Sequence, residues 1–350
     1  MRLRNTLKLA LILLLVAAPA ASRLSAQNLT LEGQTGGFLT PTAYVVYMDK
    51  GQIFSHPAIG FHFIDASSVI GKIETFSITE GFASRAEAGY TRSVHQFGDQ
   101  PTTTATPLGL SNLWNYSGMN VIHGKVVAFK DGQFGAWMPG IAVGGVVRWD
   151  DHFVSGAANK MLTGTDKSYT NGDAYVAITK TWAKPPVPFL LNLGWKATNA
   201  TIFGIGGQST RFGGRFFGGL GIPLPIGHGI VAVPSAGFTQ EPKTSVNLNS
   251  LLNAALYQCE MALACNPASY PLMSAHLPTT LDYAVRVTQK DKPHFAFDIG
   301  VGQVAGNIGS IYVANPYFSP TNPLNGPPIV TTAVNLEARH VVGVGLSYRY

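Results

Sequence analysis

The feature that most constrains this fold is a recurring alternation of apolar and polar residues. Successive side chains of a β-strand point to opposite faces, so an alternating run has one apolar and one polar face. The run at residues 340–350 shows the pattern clearly. One face carries Val342, Val344, Leu346, Tyr348 and Tyr350, and the other carries Val341, Gly343, Gly345, Ser347 and Arg349. Such a strand suits a wall between lipid and water.

Similar runs occur in pairs along the chain. The pairs flank short segments at Gly81, KDGQ, AKPPVP, PLPIGHG and KDKP, and they cover residues 72–80 and 82–94, 120–129 and 139–149, 173–182 and 188–197, 211–220 and 229–239, and 281–289 and 294–302. Longer segments separate the pairs, at 95–118, 150–172, 198–210, 240–280 and 303–339. With runs at 52–64 and 340–350, the count is about twelve.

An even number of strands with alternating short and long connections is typical of bacterial membrane barrels. We therefore predict an all-β chain that forms a transmembrane, antiparallel, up-and-down β-barrel. Short turns would face the periplasm, and long loops would face outside. A soluble β-sandwich also has alternating strands, but it does not need one class of loop to be consistently long.

The N-terminus has the pattern of a secretory signal peptide. Arg2, Arg4 and Lys8 precede an apolar run at residues 9–21, which is shorter than the roughly 20 residues that span a bilayer. We expect cleavage near residue 26, which lowers the net charge from +6 to about +2. We divide the chain into a signal peptide at 1–26, a periplasmic or lumen-plugging segment at 27–51, and a barrel at 52–350.

Two short stretches resemble parts of known proteins. The residues GGFLTPTA, from Gly36 to Ala43, are similar to the opening of exopolysaccharide-associated outer-membrane barrels. The mature chain resembles an uncharacterised family of bacterial outer-membrane proteins. Its end resembles the signal that the barrel-assembly machinery reads, carried here by Gly345, Tyr348 and Tyr350. These resemblances imply a Gram-negative-type outer membrane, with its lipid and lipopolysaccharide as surroundings, and they bring no catalytic residues.

Charged side chains in the predicted strands should face the lumen, because a cation at the lipid midplane costs about 2–4 kcal/mol. Candidate pore-lining residues are Arg85, Glu87, Lys125, Arg148, Lys196, Arg211, Arg215, Asp282, Arg286 and Asp298. With Arg349, cations outnumber anions in this set, so an open pore would favour anions. Alternatively, the same charges brace a closed barrel through ion pairs.

The predicted external loops carry three further features. Cys259 and Cys265 should form a disulfide in an oxidising compartment. Residues 248–263 have apolar positions at helical spacing, which predicts a loop helix. Asp150, Asp151 and His152 follow Trp149 at the rim, where they could contact cations or lipopolysaccharide, act in catalysis as in omptin proteases, or simply be solvated.

No motif supports an enzyme, a cofactor or a metal site, and no basic run interleaved with aromatics suggests nucleic acid. Two functions remain open. The chain could be a pore or export channel for small polar or anionic solutes or saccharides. It could also be a structural or surface-interaction barrel with an occluded lumen and functional external loops. Sequence does not indicate an oligomeric state.

Overall fold

The protein forms an all-β barrel. The computed structural model describes residues 28–66, 71–96, 117–153, 170–183, 188–200, 202–204, 208–246, 273–289, 294–314 and 329–349. The predicted signal peptide, Cys259 and Cys265, the loop helix, Tyr350 and the side chains of the Asp150–His152 cluster and of Arg211 lie outside this description.

The described residues form fifteen strands. The first eight are β1 (Ala58–Asp65), β2 (Lys72–Phe82), β3 (Ala86–Gln96), β4 (Ser117–Phe129), β5 (Gly140–Phe153), β6 (Thr170–Trp182), β7 (Phe189–Ala200) and β8 (Gln208–Gly221). The remainder are β9 (Leu224–Gly227), β10 (Ile230–Thr239), β11 (Lys243–Val246), β12 (Met273–His276), β13 (Thr280–Gln289), β14 (Phe295–Ala314) and β15 (Ile329–Arg349).

Twelve of these strands close a ring. Each consecutive pair is antiparallel, β15 pairs with β1, and β10 pairs with both β8 and β13. The short strand β9 continues β8 after a break at Ile222 and Pro223 and pairs with β10. Strands β11 and β12 form a separate two-stranded ladder. The prediction of an antiparallel barrel with about twelve strands is therefore confirmed.

Alternation places apolar side chains outside and polar side chains inside. In β2, Phe76 is 54% exposed while its neighbours Thr75 and Ser77 are buried. In β15, Val342, Leu346 and Tyr348 are exposed, as the C-terminal pattern predicts. An apolar outer surface and a polar interior suit a barrel immersed in lipid. No helix among the described residues has the length and hydropathy to cross a membrane.

Several sequence-based boundaries are wrong; the first strand, for example, begins at Ala58 and not at residue 52. The turn predicted at Gly81 lies at residues 83–85 instead, because Gly81 still pairs with Glu87 and the positive φ angles fall on Ala83 and Ser84. The segment 303–339 is not all loop, because β14 continues to Ala314 and β15 starts at Ile329. Irregularities in register at Gly302/Val304 and Asn307/Gly309 interrupt the alternation that sequence patterns detect.

The N-terminal residues occupy the inside of the barrel. Most side chains from Asn28 to Met48 are buried, although only isolated bridges such as Leu29 to Thr35 give this segment regular structure. We call residues 28–49 the plug. After the plug the chain becomes exposed at residues 50–54 and then enters β1 from the short-turn end.

Candidate functional site

The plug is joined to strands β5 and β6 by a buried charge cluster. The Arg148 guanidinium bonds to both carboxylate oxygens of Glu32 in the plug, with 2.8 Å between Nη2 and Oε2, and its Nη2 lies 2.7 Å from Asp173 Oδ2. The Arg148 side chain is fully buried. Removing one partner of a buried ion pair leaves an uncompensated charge, so this cluster holds the plug firmly.

A second buried ion pair lies on strands β3 and β4. Lys125 Nζ is 3.0 Å from Glu87 Oε1, and both side chains are fully buried. Both residues also bind the plug backbone. Glu87 accepts the Thr35 amide at 2.9 Å and the Val46 amide at 3.0 Å, while Lys125 donates to the Thr35 and Thr42 carbonyls. The pair therefore replaces the ladder partners that the irregular plug backbone lacks.

Uncharged wall residues complete these contacts. The Thr79 hydroxyl donates to the Gly33 carbonyl at 2.6 Å, and the Thr91 hydroxyl donates to the Glu32 carbonyl at 2.8 Å. The Thr179 hydroxyl oxygen accepts the Ala43 amide at 2.8 Å, and the Asn192 amide donates to the Pro41 carbonyl at 2.9 Å. The plug is therefore hydrogen-bonded from β2 round to β7.

The short-turn end of the plug is held by the turn between β4 and β5. Asp131 in this turn accepts hydrogen bonds from Lys180 Nζ at 2.6 Å and from the Tyr44 hydroxyl at 3.0 Å. Burial raises the pKa of Tyr44 above its ordinary value, which keeps this hydroxyl protonated. Arg349 near the end of β15 donates to the Tyr47 carbonyl at 3.1 Å and lies over the Tyr47 ring.

The plug also contacts β13, beside two cavities that border β10, β13 and β14. Arg286 is bidentate to Asp298, at 2.8 and 3.1 Å, and donates to the Gly36 carbonyl at 3.1 Å. Around this contact, two cavities remain between the plug and the wall.

The inner cavity lies in the short-turn half and has a volume of about 80 Å³. Its lining includes the plug residues Gly36, Thr40 and Tyr44 and the wall residues Ser235 and Arg286. The outer cavity, about 50 Å³, lies toward the long loops and has an almost wholly apolar lining that includes Leu31, Ile73, Phe203, Val304 and Val341. Phe38 and Asp282 line both cavities.

Asp282 stands between the two cavities. Its residue surface is 6% exposed, and its Oδ1 atom has no hydrogen-bond partner among the described residues. Its strand partner on β10 is Gly237, where an added Cβ would lie 2.5 Å from Asp282 Oδ1. The glycine therefore provides the space that the carboxylate occupies. An unpaired buried acceptor is unusual, because such a group loses its hydration without compensation.

Three other predicted pore-lining residues lie apart from these ion pairs and contact other partners. Arg85 lies in the turn after β2 and donates to the Ala128 carbonyl at 3.1 Å. Lys196 Nζ lies 5.7 Å from the centre of the Phe203 ring. Arg215 donates to the Glu241 carbonyl at 2.6 Å, and burial raises the pKa of the Glu241 carboxyl above its ordinary value.

Sequence patterns did not indicate several residues of this network, Asp173 among them. Glu32 and Tyr44 lie in the plug, which has no alternating run, and Asp131 lies in a turn. Lys180 lies near the end of β6, where its inward side chain meets Asp131. The only available signal was charge within an otherwise apolar chain. Within the described ranges, no group of three or more His, Cys, Asp or Glu side chains could hold a metal ion.

No protein family model and no curated protein matches the chain. Similar solved structures include the KdgM porin, with 10% identity, a TM-score of 0.40 and coverage of 84% of this chain and 99% of that one. The β-domain of the Bordetella autotransporter BrkA has 10% identity and a TM-score of 0.37, covering 85% and 100%. A Pseudomonas aeruginosa FadL homologue has 8% identity and a TM-score of 0.33, covering 95% and 98%.

These three proteins are outer-membrane β-barrels. Identities of 8–10% are too low to assign a function, and the similarity of GGFLTPTA to exopolysaccharide-associated barrels stays a prediction.

Proposed function

We propose that the protein is an outer-membrane transport barrel in which small polar solutes pass beside a fixed plug. The observation that carries this proposal is that cavities remain beside a firmly held plug. Buried ion pairs and hydrogen bonds hold the plug to β2–β7. Two cavities border it: the inner one is lined by residues of β6, β7, β8, β10 and β13, and the outer one by residues of β1, β2, β13, β14 and β15. Because Phe38 and Asp282 line both cavities, we infer that the two are successive parts of one route, with Phe38 as its constriction.

The preferred class of solute is inferred from whether the charged side chains in the lumen are paired or free. An excess of inward cations would favour anions only if those cations were free. Lys125, Arg148 and Arg286 are instead paired with carboxylates in the described lumen. Uncharged polar solutes, saccharides among them, therefore suit the route better than anions do.

Purified protein in lipid vesicles tests this function. We expect the wild-type protein to pass a monosaccharide and to exclude a trisaccharide, because each cavity is small. Phe38→Ala should increase monosaccharide flux several-fold, since it removes the ring that both cavities share. A folded wild-type barrel that passes no more solute than protein-free vesicles do would refute the transport proposal.

The same structure supports one other function. The plug fills most of the described lumen, which is the arrangement of an occluded barrel whose external loops bind a partner. In that case Phe38→Ala would lower stability without producing flux. The vesicle experiment therefore separates the two functions.

A further inference from the structure

We propose that Asp282 selects the solute, and that the preferred solute is a monosaccharide-sized molecule that donates several hydrogen bonds. Amino derivatives should be preferred to neutral polyols, and neutral polyols to anions. This inference rests on the proposed transport function and gives its site a substrate class.

The first argument concerns the hydrogen-bond donors that line the inner cavity and the partners to which they already donate. The Ser235 hydroxyl donates to the Ala284 carbonyl at 3.2 Å, and the Thr42 hydroxyl donates to the Thr35 carbonyl at 3.3 Å. The Tyr44 hydroxyl donates its hydrogen bond to Asp131. Arg286 donates to Asp298 and to the Gly36 carbonyl. The hydroxyl oxygens of Ser235, Thr42 and Tyr44 therefore present acceptor lone pairs to the cavity, and the unpaired Oδ1 of Asp282 adds another acceptor.

The second argument concerns charge. Two carboxylates, Asp282 and Asp298, face one guanidinium, Arg286, and Arg286 is already bidentate to Asp298. The Asp282 carboxylate is thus left as the uncompensated charge of this group. An ammonium group or a hydroxyl donor on the solute would satisfy it, whereas a second carboxylate would meet an acceptor of like charge.

The third argument concerns size. At about 10–15 Å³ for each water position, a cavity of about 80 Å³ holds about six water molecules. Six waters occupy about 180 Å³ as liquid, which is about the size of one sugar ring. The apolar outer cavity can contact the C–H face of such a ring, while its hydroxyl groups reach Asp282.

Matched sugars test the proposal. Uptake of labelled glucosamine, glucose and glucuronate into vesicles containing the full chain is measured at neutral pH with the membrane potential held at zero. We expect glucosamine to enter fastest and glucuronate slowest. Asp282→Asn should reduce the ratio of glucosamine to glucuronate uptake about tenfold, because it removes a charge-assisted hydrogen bond. Asp282→Glu keeps the carboxylate and should keep the order.

A second pair of variants locates the site. Ser235→Phe fills the inner cavity and should lower uptake of all three sugars. Ala232→Phe is the matched control, because Ala232 lies on the outward face of the same strand, pairs with Val287 and lines neither cavity. The heat-dependent shift of a folded barrel on a gel confirms that each variant folds. Equal uptake of glucosamine and glucuronate by the wild type above the level of protein-free vesicles, or an unchanged uptake ratio in Asp282→Asn, would overturn the proposal.

Binding separates this inference from the transport function. If the wild type passes no sugar, saturation-transfer NMR with glucosamine measures binding to the folded protein directly. A signal that Asp282→Asn abolishes supports the Asp282 site while excluding transport. No signal with the wild type overturns the inference.

Discussion

At the residue scale, the buried charges of the lumen act as pairs between the plug and the wall. Arg148 is the clearest case, because its single guanidinium forms ion pairs with both Glu32 of the plug and Asp173 of β6. Both partners are themselves nearly buried. In a low-dielectric interior, removing this cation would leave two buried carboxylates without an opposite charge.

We expect Arg148→Ala to lower the free energy of unfolding by about 3–5 kcal/mol, because it leaves two buried carboxylates without a cation. Urea titration of the barrel in lipid vesicles measures the change. Arg148→Lys should have a smaller effect, since it keeps the charge but loses the fork that binds two carboxylates.

Lys130→Ala is a suitable control for this experiment. Lys130 is exposed in the turn after β4, so its removal should change stability by less than about 0.5 kcal/mol. Similar unfolding curves for Arg148→Ala and Lys130→Ala would show that the cluster does not hold the plug.

At the element scale, the plug and the strands have different sources of order. The strands satisfy their backbone groups through ladders, whereas the plug combines short-range hydrogen bonds within its own backbone with partners from side chains of the wall. Strand β15 contributes to the packing of the plug through a glycine, which has no side chain. A Cβ added at Gly343 would lie 2.7 Å from the Phe38 ring, so glycine there leaves space for the plug. The role of Tyr350 in assembly stays a prediction.

A disulfide between the plug and the wall tests whether the solute passes beside the plug or whether the plug must leave the lumen. A Cβ at Gly140 would lie 3.4 Å from the Ala43 Cβ, close to the spacing of a disulfide. We expect Ala43→Cys with Gly140→Cys, in a background lacking Cys259 and Cys265, to cross-link when oxidised. Monosaccharide flux should then equal that of the reduced form. Loss of flux on oxidation would show that the plug must leave.

At the scale of the whole molecule, the barrel has an apolar belt on its outer surface and a lumen that the plug fills incompletely. Along β14, Phe295, Phe297, Ile299 and Val301 are all exposed on the outer surface. The wall of β10, β13 and β14 is therefore apolar outside while it borders the two cavities inside. One set of strands thus meets both lipid and the route of the solute.

Depth in the bilayer should control the effect of a charge on this belt. We expect Ile299→Arg, in the middle of the exposed run, to lower the free energy of unfolding in lipid by about 2–4 kcal/mol. Phe295→Arg is the control on the same face of the same strand. It lies at the end of the belt and should cost about 0–1 kcal/mol. Equal effects at both positions would contradict the placement of the belt.

Sequence predicted most of the barrel because alternation is local. The outward side chains of β13 and the inward Arg148, Asp282 and Asp298 can be assigned from neighbours in the chain alone. Prediction failed where the local signal was misleading. Gly81 indicated a turn that Ala83 and Ser84 make, and the irregular register of β14 and β15 hid how far these strands extend.

By itself, then, the sequence determined the strand faces, the approximate strand count and which charges point inward. Only the tertiary structure decided what those charges meet. Glu32 is 116 residues from Arg148, and Gly36 is 250 residues from Arg286. A side chain's face depends on a two-residue repeat of the backbone, but its partner depends on closure of the barrel around the plug. The position of the buried Asp282 between two cavities likewise depends on how the barrel closes around the plug.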